Sequence, residues 1–276
     1  LPKQPIARYL EFGLPELSQY PVNITGKRAP YLTALSCLAI DLPSKTIIYA
    51  KNPDYQLLPA STTKIMTALV SFNHYSLDQV IKIKRVNGIG QRMKLEKGEE
   101  IAVENLLYGL LVQSGNDAAY VLAESYPGGA EKFVEAMNVK ARHLHLNSTH
   151  FANPAGIDAP NHFTTVHDLA ILSAEAMKNP VFLKMVATTD IDVSDTTGEI
   201  KHSLTNINKL LGKVAGLKGI KTGWTENSGE CLVSYTEREG QKIITVVLAS
   251  EDRFGETEKL IEWVFANHEW EETTLH

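Results

Sequence analysis

The sequence predicts an α/β protein of the α+β type: an antiparallel sheet flanked by helices, with a mainly helical stretch set between its strand-forming ends. Three observations carry this. Strand-like apolar runs gather near the N-terminal end (32–49) and again near the C-terminal end (217–249), while the residues between show helical spacing of apolar side chains. Strands at both ends with helices between them imply a sheet completed by the two ends of the chain.

Taken in order, the first 30 residues carry Pro2, Pro5, Pro15, Pro21 and Pro30 with no sustained period, and are expected to form an extended arm. From Leu32 to Tyr49, two apolar runs broken by Leu42-Pro43-Ser44-Lys45 give a hairpin signature. After Pro59, a helix is expected from Ser61 to Phe72, because Ile65, Met66, Leu69, Val70 and Phe72 recur on one side. A short extended piece from Gln79 to Val86 leads to a helix whose Val103, Leu106, Leu107, Leu110 and Leu111 form an apolar stripe. That stripe stops at Gln113-Ser114-Gly115-Asn116 and a new helical run begins at Asp117, so residues 114–116 occupy a tight corner.

Further helices are expected from about Ala130 to Leu144 and from Val166 to Met177, the latter with Thr165 and Asp168 suited to capping. The loop FANPAGIDAPNHF separates them, and residues 190–205 read as a polar connection. Strand character returns in GLKGIKTGWT, ECLVSYTE and KIITVVLAS, and an amphipathic helix through Leu260, Ile261, Val264 and Phe265 closes the fold. The expected organisation is an arm at 1–30, a main domain at 31–268 with a helical lobe at about 73–165, and a tail at 269–276.

The 276 residues, 43% hydrophobic and 21% charged, suit a globular chain with a full core. A net charge of −5 provides no basic field for a phosphate backbone, which argues against nucleic acid as a partner. Lys82-Ile83-Lys84-Arg85 alternates and reads as a solvated strand face. Cys37 and Cys231 lie inside apolar runs and are expected to be buried free thiols. No stretch approaches the ~20 apolar residues of a membrane span. Because the chain opens on Leu1 and not Met, an upstream segment is expected to have been removed, a signal and an anchor being the candidates for it.

Three motifs stand in order: Ser61-Thr62-Thr63-Lys64, Ser114-Gly115-Asn116 and Lys221-Thr222-Gly223. An S-x-x-K string arises about once per chain of this length by composition alone. The ordered trio, each member in a suitable context, is what makes chance improbable. On a helix, Ser61 and Lys64 share a face, and a serine hydroxyl needs an adjacent base. Burial, the positive end of the helix dipole and a second cation at Lys221 would all favour a neutral Lys64, the form able to act as that base. Ser114 and Asn116 offer a hydroxyl to relay a proton and an amide to fix the lysine or the substrate, although a C-cap followed by an N-cap explains the same residues. By strand alternation Lys221 and Gly223 fall on the face opposite Thr222, and Gly223 permits close backbone approach along an edge, which suits a peptide.

The trio resembles the signature of penicillin-binding proteins and serine β-lactamases. The longer strings LLPASTTKIMTALV, LLVQSGNDAAYVLAE, FANPAGID and GIKTGWTENSGECLV resemble the low-molecular-mass D-alanyl-D-alanine carboxypeptidase branch, over about Leu32 to Phe265. The resemblance implies a transpeptidase-like fold with a sheet of about five strands, and a serine carboxypeptidase that needs no cofactor. It implies that Ser61 attacks the carbonyl between the terminal D-alanines of a peptidoglycan stem peptide while Lys64 takes its proton. Ser114 would protonate the departing D-alanine, and Asn116 would hold Lys64 and the substrate amide. The N–H groups of Ser61 and Trp224 would form the oxyanion hole, and Lys221, Thr222 and Arg253 would bind the terminal carboxylate. β-Lactams would be covalent inhibitors, and the site of action extracytoplasmic, with any membrane anchor outside this chain.

Three rival readings follow from the same residues. A β-lactamase would need a carboxylate to activate water, for which Glu135-x-x-Asn138 has the right letters but reads as an exposed helix face. A non-catalytic wall-peptide receptor would keep the fold without the complete trio. The cluster His143, His145, His150, His162 and His167 lacks an H-E-x-x-H spacing, so no metal is expected.

Overall fold

The computed structural model describes residues 19–272, so residues 1–18 of the expected arm and 273–276 of the expected tail lie outside it. The chain enters through strand β1 (Tyr20–Asn23) and then forms the hairpin of β2 (Ser36–Asp41) and β3 (Ile47–Lys51). Asp41 closes the turn by accepting the Ser44 N–H at 2.9 Å. A 3₁₀ turn at Ala60–Thr63 runs into helix α1 (Lys64–His74), followed by the small ladder of β4 (Val80–Lys82) with β5 (Glu100–Ala102). Helices α2 (Val103–Leu111), α3 (Asn116–Glu124) and α4 (Gly129–His143) come next, then α5 (Val166–Met177) and α6 (Pro180–Val186). Strands β6 (Asp190–Ser194) and β7 (Lys201–Thr205) form a hairpin. The chain finishes with β8 (Leu217–Thr225), β9 (Gly229–Arg238), β10 (Gln241–Ser250), helix α7 (Arg253–Asn267) and β11 (His268–Glu271).

The five-stranded antiparallel sheet has the order β3-β2-β10-β9-β8, so the N-terminal hairpin joins the three C-terminal strands as the sequence implies. Its central strands β9 and β10 read as near-continuous apolar runs because both faces are covered. Val246, Ile244 and Val233 belong to the cluster shared with Ile65, Leu107, Leu122, Phe133 and Leu169, whereas Val247, Ile243 and Leu232 pack with Leu260, Ile261 and Val264 of α7. The helical stretch between α1 and α5 therefore shares one core with the sheet. Cys37 and Cys231 are buried free thiols. Among the described residues no helix is long and apolar enough to cross a membrane.

Several expectations are corrected. The helix expected from Ser61 starts at Lys64, because the four residues before it wind as a 3₁₀ turn in which Thr62 bonds back to the Pro59 carbonyl through both N–H and Oγ1. The described part of the arm is not free: Tyr20–Asn23 pairs antiparallel with His268–Glu271, so residues of the expected tail close a two-stranded ladder with it. The polar connection at 190–205 is a β-hairpin, with Val193, His202 and Leu204 turned inward. Thr165 caps α5 as expected by accepting the Asp168 N–H, but Asp168 turns instead to Ser148 N and Thr149 Oγ1, stitching the preceding loop to the helix.

Candidate active site

The three motifs meet at one cleft of about 650 Å³, lined by Ser61, Ser114, Asn116, Thr222, Gly223, Trp224 and Arg253 among others. These residues come from four elements: the 3₁₀ turn, the α2–α3 corner, the edge strand β8 and the first turn of α7. Thr222, Gly223, Trp224 and Thr225 line it consecutively. The cleft follows the free edge of β8 and not one face of it, so the alternation argument that set Thr222 against Lys221 and Gly223 does not describe this wall.

Lys64 is fully buried, and its Nζ lies 2.8 Å from Ser61 Oγ, 2.7 Å from Asn116 Oδ1 and 2.6 Å from the Ala155 carbonyl oxygen. Burial, with a smaller contribution from the Lys221 charge, pushes its pKa well below the ordinary lysine value, and Asp117 opposes the shift. A neutral amine has two hydrogens and one lone pair. Three partners of which two can only accept, the Asn116 and Ala155 oxygens, therefore leave the lone pair for the hydroxyl of Ser61. The arrangement is that of a base and its nucleophile in hydrogen-bond contact.

Lys221 is also buried; burial and then the Arg253 charge bring its pKa down to about 7, and its Nζ donates to the Thr222 carbonyl at 3.1 Å. Arg253 Nη1 donates to the Gly223 carbonyl at 2.7 Å. Thr222 Oγ1 and Arg253 Nε are buried without a protein partner among the described residues, and both residues line the cleft. Two unmet donors beside a cationic pair suit an anionic group such as a carboxylate. Trp224 is 61% exposed at the cleft mouth, so its ring is available to a ligand and is not core packing.

Two glycines keep the Ser61 N–H clear. A Cβ at Gly223 would stand 3.0 Å from the Ser61 nitrogen, and one at Gly156 would stand 2.9 Å from it and 1.8 Å from the Ala60 carbonyl oxygen. Ala60 and Ser114 have φ of +46° and +60°, uncommon for residues with side chains; Ala60 precedes Ser61, and Ser114 itself lines the cleft.

Some site residues escaped the sequence reading. Asp117, which the sequence marks only as the start of a helical run, is buried and accepts the N–H groups of Met93, Lys94 and Leu95 at 2.9–3.1 Å. It thereby anchors the loop whose Ile89 and Gln91 carbonyls accept from Asn116. Asn153 holds the turn that presents the Ala155 carbonyl; an Asn before Pro154 was its only sequence signal. Glu135 and Asn138 do not line the cleft. Glu135 pairs with Lys132 at the surface, and Asn138 bonds the backbone of Phe151. Among the described residues no group of three His, Cys, Asp or Glu side chains is placed to hold a metal ion.

Comparison with known proteins agrees with this geometry. Residues 23–252 match the peptidase S11 family, described as D-alanyl-D-alanine carboxypeptidase. The chain is 33% identical over 259 residues to D-alanyl-D-alanine carboxypeptidase DacF of Bacillus subtilis, covering 88% of this chain and 66% of DacF. It is 34% identical to DacA of Haemophilus influenzae, covering 88% of this chain and 65% of that protein, so it spans about two thirds of these relatives. It is 33% identical to the D-alanyl-D-alanine carboxypeptidase of Streptomyces sp. strain K15, covering 88% of this chain and 90% of that one. The crystal structure of the Streptomyces K15 DD-transpeptidase superposes with a TM-score of 0.81 at 32% identity, over 87% of this chain and all of that one. With the motifs in one cleft and the likeness running along nearly the whole chain, this protein belongs to the D-alanyl-D-alanine carboxypeptidase family of serine peptidases.

Proposed function

We propose that this chain is a serine D-Ala-D-Ala carboxypeptidase that removes the terminal D-alanine from peptidoglycan stem pentapeptides through an acyl-enzyme on Ser61. The observation that carries the reading is the buried Lys64 amine, 2.8 Å from Ser61 Oγ and held by two acceptors that can only take its hydrogens.

In this mechanism the stem peptide adds as a strand along the open edge of β8. Its terminal carboxylate meets Thr222, Lys221 and Arg253, and the scissile carbonyl oxygen lies between the N–H groups of Ser61 and Trp224. Lys64 accepts the Ser61 proton as Oγ attacks, and the oxyanion is stabilised by the two N–H donors, worth about 3–4 kcal/mol each in comparable sites. Ser114, buried at the α2–α3 corner, passes a proton to the nitrogen of the departing D-alanine. Water then attacks the ester with Lys64 again taking a proton, and Ser61 is regenerated. A β-lactam enters as an acyl donor whose leaving nitrogen stays tethered, so it blocks the site as a lasting ester. The substrate belongs to the cell wall, and we accordingly place the activity on the extracytoplasmic side, with any anchor in a segment outside this chain and with effects on wall maturation and cell shape.

The test is release of free D-alanine from a diacyl-L-Lys-D-Ala-D-Ala tripeptide, repeated after penicillin treatment and with Ser61→Ala. Release that is blocked by penicillin and absent in Ser61→Ala is the expected result; release by Ser61→Ala at the parent rate would overturn the assignment. The same assay with an added amine acceptor separates hydrolysis from transfer to a second stem peptide.

A further inference from the structure

The Ala155 carbonyl that aligns Lys64 belongs to a loop, and what fixes that loop is a polar chain behind it with no assigned role. Asn153 Oδ1 accepts the N–H groups of Ala155, Gly156 and Ile157 at 3.2, 2.8 and 3.1 Å, which settles which end of its amide is oxygen. Its Nδ2 therefore donates, to the Ile157 carbonyl at 2.7 Å and to His162 Nδ1 at 3.1 Å. Because Nδ1 accepts, the proton of a neutral imidazole sits on Nε2, and Nε2–H donates to Thr63 Oγ1 at 2.9 Å. Thr63 is the residue immediately before Lys64, and His162 and Thr63 are both buried. Burial holds the imidazole neutral, with its pKa pushed down to about 4.

The chain of bonds closes a ring: Lys64 Nζ to Ala155 O, the Ala155 turn to Asn153, Asn153 to His162, His162 to Thr63, and Thr63 back to Lys64 along the backbone. A ring of this kind fixes the position of a carbonyl relative to an amine on a different segment, which neither segment does alone. We propose that His162 and Asn153 are positioning residues that aim the Lys64 lone pair at Ser61 by locking the Ala155 carbonyl to the start of α1. The inference rests on Lys64 being the base of the proposed reaction. Neither residue lines the cleft: Ala155, Gly156 and Ile157 do, whereas Asn153 and His162 stand behind them.

The test uses the full chain and reads Ser61 acylation by benzylpenicillin by intact mass, with kcat and KM for tripeptide hydrolysis alongside. His162→Phe keeps the ring volume and loses both bonds; kcat and the acylation rate are expected to fall about 10- to 50-fold with KM within about twofold. His162→Gln, which retains one donor and one acceptor, is expected to recover most of the loss. Thr63→Val, which removes the hydroxyl alone, should give a smaller loss of the same kind and serves if His162→Phe does not fold. Combined with Lys64→Ala, which removes the base through which the ring acts, His162→Phe should add no further loss, whereas a general structural role would lower the residual rate again. A folded His162→Phe with parental kcat, or one that lowers Lys64→Ala further by the same factor, overturns the inference. A parent chain that penicillin does not acylate would instead overturn the proposed function, and this inference with it.

Discussion

An Asn116→Asp substitution keeps the shape of the side chain but sets a carboxylate oxygen where the amide oxygen now lies, 2.7 Å from Lys64 Nζ. At an effective dielectric of about 20, a full charge at that distance favours the ammonium form by about 6 kcal/mol. The amide dipole already supplies part of this, and burial penalises the new carboxylate, so a net of about 3 kcal/mol is reasonable. That is up to about a hundredfold smaller share of neutral amine where both lysines are largely protonated, a deficit that closes as the pH rises past the variant's own pKa. The second carboxylate oxygen would also face the Ile89 carbonyl, to which Asn116 Nδ2 now donates, loosening the loop at residues 89–91. The sign follows: a base held protonated to higher pH loses activity toward acid and regains it toward alkali. Acylation by benzylpenicillin from pH 5 to 10 should be up to about 100-fold slower than in the parent toward acid, with the ratio closing toward alkali by up to tenfold per pH unit. A loss equally deep at every pH, or none, would refute the reasoning that Asn116 governs the charge of Lys64.

Three further outcomes follow from the same geometry. Asp117→Asn exchanges one acceptor oxygen for an NH₂ group beneath three loop N–H groups, at a cost of about 2–4 kcal/mol. Calorimetry should show a melting temperature lower by roughly 5–15 °C, and an unchanged value would remove the anchoring role. Gly156→Ala forces a side chain onto the Ala60 carbonyl at φ +83°, so the nucleophile's turn must shift; acylation should slow at least about tenfold, and parental acylation would show that the close approach is unimportant. The pKa of Lys221 is about 7 in the fold against about 10.4 for a free lysine, so above pH 7 the unfolded chain binds more protons and stability rises with pH, by at most about 1.4 kcal/mol per unit. Denaturant titrations between pH 7 and 8.5 should show that rise and its reduction in Lys221→Met; the window stops there because the raised thiols of Cys37 and Cys231 act in the opposite direction once the unfolded chain's cysteines ionise.

The central sheet was legible because its strands are buried on both faces and therefore carry long apolar runs. The β6–β7 hairpin was not, since Asp190–Ser194 and Lys201–Thr205 bury only alternate residues of a largely polar sequence. Pairing of β1 with β11 joins segments almost the full chain apart and leaves no local signal. The same division runs through the site. Ser61, Lys64, Ser114, Asn116 and Lys221 were legible because their contributions are side chains at fixed spacing. Ala155 contributes a carbonyl oxygen, which every residue has, and Asp117 acts on backbone N–H groups more than twenty positions away. Asn153 and His162 carry readable side chains, but their partners lie on other segments; counted among histidines alone, His162 suggested a metal reading and nothing else.

Backbone conformation accounts for why the reacting groups need so many silent partners. Ala60, next to the nucleophile, and Ser114 itself both adopt positive φ, a state costing about 1–3 kcal/mol for a residue with a side chain. A turn held in that state relaxes unless bonds on both sides oppose it. At the first turn, Thr62 ties back to Pro59, Thr67 Oγ1 donates to the Pro154 carbonyl, and Gly156 lies directly against the Ala60 carbonyl. At the second, Gly115 N–H donates to Gly109 O and Asp117 fastens the facing loop. Loop 153–157 thus touches the nucleophile's turn, the base and the cleft at once, so displacing it disturbs all three together. Losses from substitutions within this loop should for that reason be less than additive, whereas a loop substitution combined with one at Arg253, which meets the cleft from α7, should give losses that multiply.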